Sequence, residues 1–110
     1  MSREQLLKGV LDIMVLAVLA RDEAYGYDIT QQLRAAGVTD VGEASVYGTL
    51  RRLQHQNWLT SHLVASSQGP ARRYYQLTPL GKQALEEMLD GWDEITGAVA
   101  AIVRPRKGRR

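Results

Sequence analysis

The sequence predicts a mostly helical α+β fold, namely a winged helix-turn-helix with an N-terminal helix and a long C-terminal helix suited to dimerisation. A helical pattern that ends at a glycine is followed, after a short connector, by a second helix with a basic outward face. Two candidate strands joined by a short polar turn come next. The C-terminal helix then carries an apolar seam with heptad spacing. Together these patterns predict the arrangement in which a helix and a hairpin meet duplex DNA.

Length and composition limit the class of protein. A chain of 110 residues with 45% hydrophobic residues can form one domain with its own core. It contains no cysteine, so a disulfide framework and a thiolate metal site are excluded, which fits a reducing cytoplasm. We see no signal peptide, and the longest near-apolar run, residues 10–20, is too short to span a bilayer. We therefore expect a cytoplasmic protein with no membrane partner.

The distribution of charge is more informative than its total. The formal net charge is +2. Residues 43–77 carry +3 and residues 104–110 carry +5, whereas residues 78–103 carry −4. Such segregation produces a steering field for an anionic partner on one part of the surface.

The N-terminal helix is predicted to run from Ser2, in a capping box with Gln5, to about Ala20. Its apolar residues cover nearly the whole circumference, so we expect burial on more than one side. One side would face the chain's own core and the other a second subunit. The alternative is a plain central helix within one subunit.

A second helix is predicted from about Tyr25 to Ala36, with Gly37 as the residue that ends it. Gly26 allows close backbone approach. The hydroxyls of Tyr25 and Tyr27 suit a phosphate contact, although we expect at least one of the two rings to be an ordinary core aromatic. The residues expected to face inward are Ile29, Leu33 and Ala36.

The third helix begins near Glu43, fades at residues 56–57 and has two different faces. Its buried stripe comprises Val46, Leu50 and Leu53. The opposite face comprises Ala44, Gly48, Arg51 and His55, flanked by Ser45 and Arg52. Small residues bring the helix backbone close to a partner, and arginines suit guanine edges or phosphates. The alternative is an ordinary solvated face.

Two strands are predicted at residues 58–65 and 72–77, joined by a turn at residues 66–70. In the second strand we expect Tyr75 and Leu77 in the core, with Arg72 and Tyr74 outward. The basic residues beside the turn suit a DNA-contacting wing, although an ordinary hairpin has the same pattern.

The last helix begins at Thr78 as N-cap with Pro79 at the first helical position, and it runs to about Val103. A helix of this length extends beyond a small winged-helix core, so its far half needs a partner. An identical chain is the preferred partner, and an intramolecular hairpin with the first helix is the alternative. The predicted dimer-interface residues are Leu85, Met88, Leu89, Trp92, Ile95, Val99 and Ile102.

Four segments in order resemble the PadR family of bacterial transcriptional regulators, in its short form. They are Leu7 to Asp12, the Tyr-Gly-Tyr-Asp-Ile run at residues 25–29, the segment SVYGTLRRL at residues 45–53 and the segment RRYYQLTPLG at residues 72–81. Trp92 lies where members often have a tryptophan. The resemblance covers about residues 6–103.

The resemblance implies a homodimeric winged-helix repressor that binds a pseudo-palindromic operator in double-stranded DNA. It implies that the last helix dimerises against the N-terminal region of the partner. It also implies a small planar or aromatic effector near Trp92, and we take Met88 as a second candidate residue for that pocket. The alternative role of Trp92 is that of a bulky residue in the dimer seam. The residues predicted to bind DNA, from the resemblance and the helix faces together, are Tyr25, Ser45, Tyr47, Gly48, Arg51, Arg52, His55, Arg72 and Arg73.

Other classes of function are less well supported. His55 and His62 have no paired acids nearby in sequence, and the chain has no phosphate-binding glycine loop or nucleophile motif, so we expect no enzyme, no metal and no cofactor. A winged helix used for protein–protein contact remains an alternative, as does a small-molecule sensor whose DNA binding is vestigial. We expect a DNA-binding domain at residues 1–78, a dimerisation helix at 79–103 and a basic disordered tail at 104–110, which either contacts phosphates or only aids solubility.

Overall fold

The computed structural model describes residues 3–104 and confirms the predicted winged helix-turn-helix. The elements, in chain order, are α1 (Arg3–Leu7), α2 (Leu11–Arg21), β1 (Ala24–Tyr25), α3 (Gly26–Ala35), α4 (Glu43–His55), β2 (Leu59–Val64), β3 (Arg72–Leu77) and α5 (Pro79–Val103). The predicted cap at Ser2 and the predicted tail beyond Arg104 lie outside the described residues.

The N-terminal region is two helices, so the prediction of one continuous helix to Ala20 is wrong. A turn at residues 8–10 separates α1 from α2. The Val10 N–H donates to the Leu7 carbonyl at 3.0 Å, and the Met14 N–H then donates to the Val10 carbonyl at 3.1 Å. The turn contains Gly9, and glycine is about 1 kcal/mol worse than alanine in a helix interior. The apolar periodicity continues through this turn, which is why the sequence pattern did not reveal it.

The sheet has three strands in the order β1-β3-β2, with both pairs antiparallel. The two predicted strands are present, and β3 has the predicted bounds. Strand β1 was not predicted, because two residues are too few to produce an alternating pattern. It pairs Ala24 with Tyr75 and Tyr25 with Tyr74, which joins the start of α3 to the hairpin.

The core is formed where α2, α3 and α4 pack on the inner face of the sheet. The predicted stripe of α4 is fully buried, since Val46, Leu50 and Leu53 have no exposed surface. Tyr75 is buried as predicted. Ala36, which was predicted to face inward, is exposed. The reason is that α3 ends at Ala35 and the chain turns away at Gly37, whose φ of +104° is a conformation that favours glycine.

Helix α5 is attached to the core by its first three turns, from Gly81 to Met88. Thr78 caps it, since its hydroxyl accepts from the Gly81 N–H at 2.9 Å and donates to the Asn57 carbonyl at 2.8 Å. The prediction of this helix start is therefore confirmed. Gly81 and Leu85 are the buried residues of the helix. Beyond them, α5 extends away from the core and gives the chain a long dimension of 65 Å.

Candidate nucleic-acid interface

The outward face of α4 carries small residues and basic residues, as predicted. Ala44, Ser45, Arg51 and His55 are exposed, and Gly48 is half-buried. A Cβ placed on Gly48 would find only the Arg51 guanidinium near it, at 3.9 Å. The backbone of α4 can therefore approach a partner closely at this point. Both the small residues and the basic residues that suit a DNA groove lie on this one face.

Arg51 is exposed and available to a partner. Among the side chains that the structure describes, no acidic group lies within ion-pair distance of it. It lines a shallow depression of about 440 Å³ together with Gln54, His55 and Asn57. This position leaves the whole guanidinium fork free for a guanine edge or a phosphate.

Arg52 is held differently from its neighbour. Its Nη1 donates to Asp12 Oδ2 at 2.8 Å and its Nη2 donates to Asp12 Oδ1 at 2.7 Å. This hydrogen-bonded pairing with Asp12 raises the pKa of the Arg52 guanidinium. Because one fork cannot bind Asp12 and a guanine edge at the same time, Arg52 is not presented to a base in this structure.

Asp12 is the residue of this region that sequence reasoning missed. A signal was present, because Asp12 is the one charged residue in the apolar run at residues 10–20. A carboxylate in such a run is expected to find a cation or to face water. Its partner lies 40 positions away in sequence, so the pattern alone could not identify it.

A cleft of about 600 Å³ separates the recognition side of α4 from the N-terminal region. Ser45, Gly48 and Arg52 line one wall, and Lys8 and Asp12 line the other. The cleft was not predicted, because it depends on the turn between α1 and α2. It places Lys8 and Asp12 beside three of the residues predicted to bind DNA.

Tyr47 lies against the start of α3. Its ring is so close to Gly26 that a Cβ on that glycine would be 2.3 Å from Tyr47 Cε1. Burial, aided by the Glu43 carboxylate, raises the pKa of the Tyr47 hydroxyl. The hydroxyl therefore stays protonated and can donate a hydrogen bond, which is compatible with the predicted phosphate contact.

Aromatic rings connect the start of α3 to the wing hairpin. Tyr25 is half-buried, and its ring centroid lies 5.4 Å from that of Tyr74 and 6.2 Å from that of Tyr27. The Arg72 guanidinium lies 4.8 Å from the Tyr25 ring centroid, a cation–π contact. The structure thus brings together two predicted DNA-binding residues, Tyr25 and Arg72, that are distant in sequence.

The other wing arginine is anchored to the neighbouring strand. Arg73 Nη1 donates to the Ser61 hydroxyl at 3.1 Å, and the rest of the side chain is exposed. Arg72 and Arg73 alternate across β3, so they point to opposite faces of the sheet.

The predicted dimer seam of α5 divides into two parts. Leu85 is buried within its own chain and Met88 packs against the same core, so Leu85 has little surface left for a partner. The remaining five residues are exposed, with relative exposures from 39% at Leu89 to 81% at Ile102. Trp92 is 41% exposed, and neither of the two cavities at α4 includes it.

The described side chains contain no group of three or more His, Cys, Asp or Glu residues that could hold a metal ion. His62 Nε2 lies 3.5 Å from the Glu23 carboxylate, and both side chains are exposed. None of the described helices is long and apolar enough to cross a membrane.

Comparison with known proteins identifies close structural counterparts. Residues 15–87 match the model of the "Transcriptional regulator PadR-like family". The crystal structure of a PadR-like transcriptional regulator from Bacillus cereus has a TM-score of 0.83 and 36% identity, covering 93% of this chain and 99% of that one. A transcriptional regulator from Mycobacterium tuberculosis is 32% identical over 92 residues, which is 84% of each chain.

One related structure contains a nucleic acid. It is Bacillus subtilis PadR in complex with operator DNA, with a TM-score of 0.67 and 27% identity. The match covers 73% of this chain and 46% of that protein.

Proposed function

The chain belongs to the PadR-like family of transcriptional regulators, and on that basis we propose that it is a homodimeric repressor that binds a pseudo-palindromic operator in duplex DNA. The observation that carries this proposal is the outward face of α4, where Arg51 lies beside Gly48 and has no acidic partner among the described side chains. A relative crystallised with operator DNA supports the class of partner.

We assign base contacts to α4, with Arg51 as the main reader of guanine edges and Ser45, Gly48 and His55 beside it in the major groove. The wing and the start of α3 would fix the position of the protein by phosphate contacts. Residues in this second group are Tyr25, Tyr47, Arg72 and Arg73. The positive charge of residues 43–77 would draw the duplex to this surface.

Dimerisation is assigned to the exposed seam of α5, where Leu89, Trp92, Ile95, Val99 and Ile102 form one apolar stripe. A stripe of this length on a soluble monomer would be unusual, and a two-fold related copy would cover it. Two recognition helices would then enter successive major grooves roughly 34–36 Å apart.

A small planar or aromatic effector is part of the proposal. With Trp92 exposed on a single chain, a pocket beside Trp92 and Met88 would be completed by the second copy. Such a compound would release the repressor only if it bound one dimer geometry more tightly than the other. We propose a cytoplasmic location, where a regulator of this kind meets its DNA.

The first test is binding to the DNA immediately upstream of the protein's own coding region. Purified protein would be titrated against that fragment and a scrambled fragment at two salt concentrations. We expect tight binding to the upstream fragment with two chains per site, because paired recognition helices read paired half-sites. Weak and equally salt-dependent binding to both fragments would contradict sequence-specific regulation, and a winged helix that contacts protein would then be the better proposal.

A further inference from the structure

The ion pair between Asp12 and Arg52 joins the N-terminal region directly to the recognition helix. Asp12 lies in the first turn of α2, and Arg52 lies in the last turn of α4. Both terminal nitrogens of Arg52 are bound, at 2.8 and 2.7 Å, so the contact is a bidentate fork. The Arg52 side chain is 52% exposed and that of Asp12 is 23% exposed, so the pair lies at the surface and not in the core.

The location of the pair makes it relevant to DNA. It forms part of the cleft that Ser45 and Gly48 also line, beside the proposed base-reading face. Arg51 and Arg52 are adjacent in sequence, yet in the described structure Asp12 forms an ion pair with Arg52 and not with Arg51. The recognition helix therefore presents one uncompensated arginine to a partner, although its sequence contains two.

We propose that Asp12 is a specificity-determining residue, which acts by withholding Arg52 from the phosphates of DNA so that discrimination rests on Arg51. A phosphate attracts any nearby arginine regardless of base sequence. A guanine edge, in contrast, forms its two hydrogen bonds only with an arginine that is correctly placed in the groove. Pairing Arg52 with Asp12 removes an attraction to DNA that does not depend on sequence, while Arg51 stays available to contact bases. The inference rests on the proposed DNA-binding function. Asp12 is a positioning residue, since it acts through Arg52 and need not touch DNA.

The main variant is Asp12→Asn, which keeps the shape of the side chain and removes its charge. Its affinity for a random-sequence duplex would be measured by fluorescence anisotropy over a series of salt concentrations. Each phosphate newly neutralised adds about 0.9 to the slope of log K against log salt, so the variant slope should steepen by about 0.9 per protomer. For two protomers, a fourfold rise in salt would then cost the variant about twelvefold more affinity than the wild type.

Three further variants isolate the cause. Asp93→Asn on α5 also removes one negative charge, but at a position outside the proposed DNA interface, and it should leave the slope unchanged. Arg52→Gln in the wild-type background should also leave the slope unchanged, because Arg52 is already withheld. Arg52→Gln in the Asp12→Asn background should make the slope less steep than that of Asp12→Asn alone, by about 0.9 per protomer. Urea unfolding of each variant shows whether a change in binding reflects a change in folding.

Two results would overturn the inference while leaving the proposed function intact. A wild-type slope that falls on Arg52→Gln would show that Arg52 already contacts phosphates. An unchanged slope in Asp12→Asn, with lower stability and equally lower affinity for operator and random DNA, would show that Asp12 only holds the fold together. Absence of any DNA binding by the wild-type protein is a different result, since it would overturn the proposed function and this inference with it.

Discussion

At the scale of single residues, Gly81 decides how α5 meets the core. A Cβ at this position would lie 2.1 Å from the Trp58 carbonyl oxygen, which is a backbone atom and cannot swing aside. The same carbonyl accepts the Thr78 N–H at 3.1 Å, so moving it also disturbs the helix start. The first turn of α5 can approach the α4–β2 corner this closely because residue 81 has no side chain.

We therefore expect Gly81→Ala to lower the free energy of unfolding by about 1–3 kcal/mol, as overpacking of a tight site does. Urea denaturation would measure the change. Gly97→Ala in the same helix is the matched control, since a Cβ there meets nothing within 4 Å. Removal of a helix-interior glycine should make that control more stable by about 0.5–1 kcal/mol. Equal effects at the two sites would contradict the close approach.

Gly26 has a similar contact with a softer neighbour. A Cβ there would meet the ring of Tyr47, which is a side chain and can rotate away. The cost of an added methyl group should consequently be smaller at residue 26 than at residue 81. The movement of Tyr47 would, however, displace a hydroxyl that we assign to a DNA phosphate.

Arg51 is the residue on which base recognition is expected to depend. Arg51→Ala should weaken binding to the specific operator by about 1–3 kcal/mol, the usual value of a bidentate arginine–guanine contact. Binding to random DNA should weaken much less, because fewer guanine contacts are lost there. Anisotropy titrations with both duplexes would measure the two changes. An equal loss on both would show that Arg51 contacts phosphates and does not read bases.

A matched comparison is available on the wing. Arg73→Ala removes an arginine of equal charge that we assign to a phosphate, and it should weaken binding to both duplexes similarly. If Arg73→Ala reduced the preference for operator over random DNA more than Arg51→Ala does, base recognition would have to be assigned to the hairpin and not to α4.

At the scale of secondary-structure elements, the cap at Thr78 holds the start of α5 and ties it to the end of α4. The hydroxyl accepts from Gly81 N–H and donates to the Asn57 carbonyl, at 2.9 and 2.8 Å. We expect Thr78→Ala to cost about 0.5–2 kcal/mol of stability, the usual range for loss of an N-cap. Thermal or urea unfolding would measure it. Thr78→Ser keeps the hydroxyl, so a loss as large in the serine variant would point to the methyl group and not to the cap.

The elements also show which local signals in the sequence were sufficient. Helix α4 and strand β3 were predicted because each has an unbroken period and clear boundaries. The turn between α1 and α2 was missed because the apolar pattern of the N-terminal region continues across Gly9. Strand β1 was missed because its two residues form a strand only through their pairing with Tyr74 and Tyr75. Pairing of this kind is a property of the tertiary structure and leaves no period in the sequence.

In the candidate site, too, the features set by one helix could be predicted and those set by tertiary contacts could not. Gly48 and Arg51 share one face of α4, with Ser45 at its edge, because 100° per residue puts them there, and the sequence is enough to predict that. The state of Arg52 depends on Asp12, which reaches it only after α2 and α4 have packed together. The cation–π contact between Arg72 and Tyr25 likewise requires β1 and β3 to pair first. Spacing along one helix is readable from sequence, whereas a partner on another element is not.

At the scale of the whole molecule, the positive charge of residues 43–77 and the exposed apolar stripe of α5 lie on different parts of the chain. Residues 43–77 are positive and contain all the proposed DNA contacts except Tyr25, while α5 is acidic outside its apolar stripe. The acids of α5 would repel DNA, so the duplex is steered to α4 and the wing. The apolar stripe of α5 is thereby left available for a second copy of the chain.

Dimerisation should consequently be separable from folding. Ile95 is 64% exposed and Leu85 is buried, so a charge at residue 95 disturbs the stripe without entering the core. We expect Ile95→Glu to shift the protein from dimer to monomer in sedimentation equilibrium, because a carboxylate in an apolar seam is desolvated without a partner. Far-UV circular dichroism should remain that of a folded chain, and operator affinity should fall because only one recognition helix then engages at a time.

Ala101→Glu provides the control for this change. Residue 101 is exposed on the same helix but lies outside the heptad seam, so the variant adds an equal charge without burying it. It should remain dimeric and keep its operator affinity. A dimeric Ile95→Glu variant would show that the stripe of α5 is not the interface, and the apolar residues of α1, among them the exposed Leu6, would then be the next surface to change. If both variants became monomers, the added charge itself and not its place on the helix would be responsible, because five acids already make α5 negative.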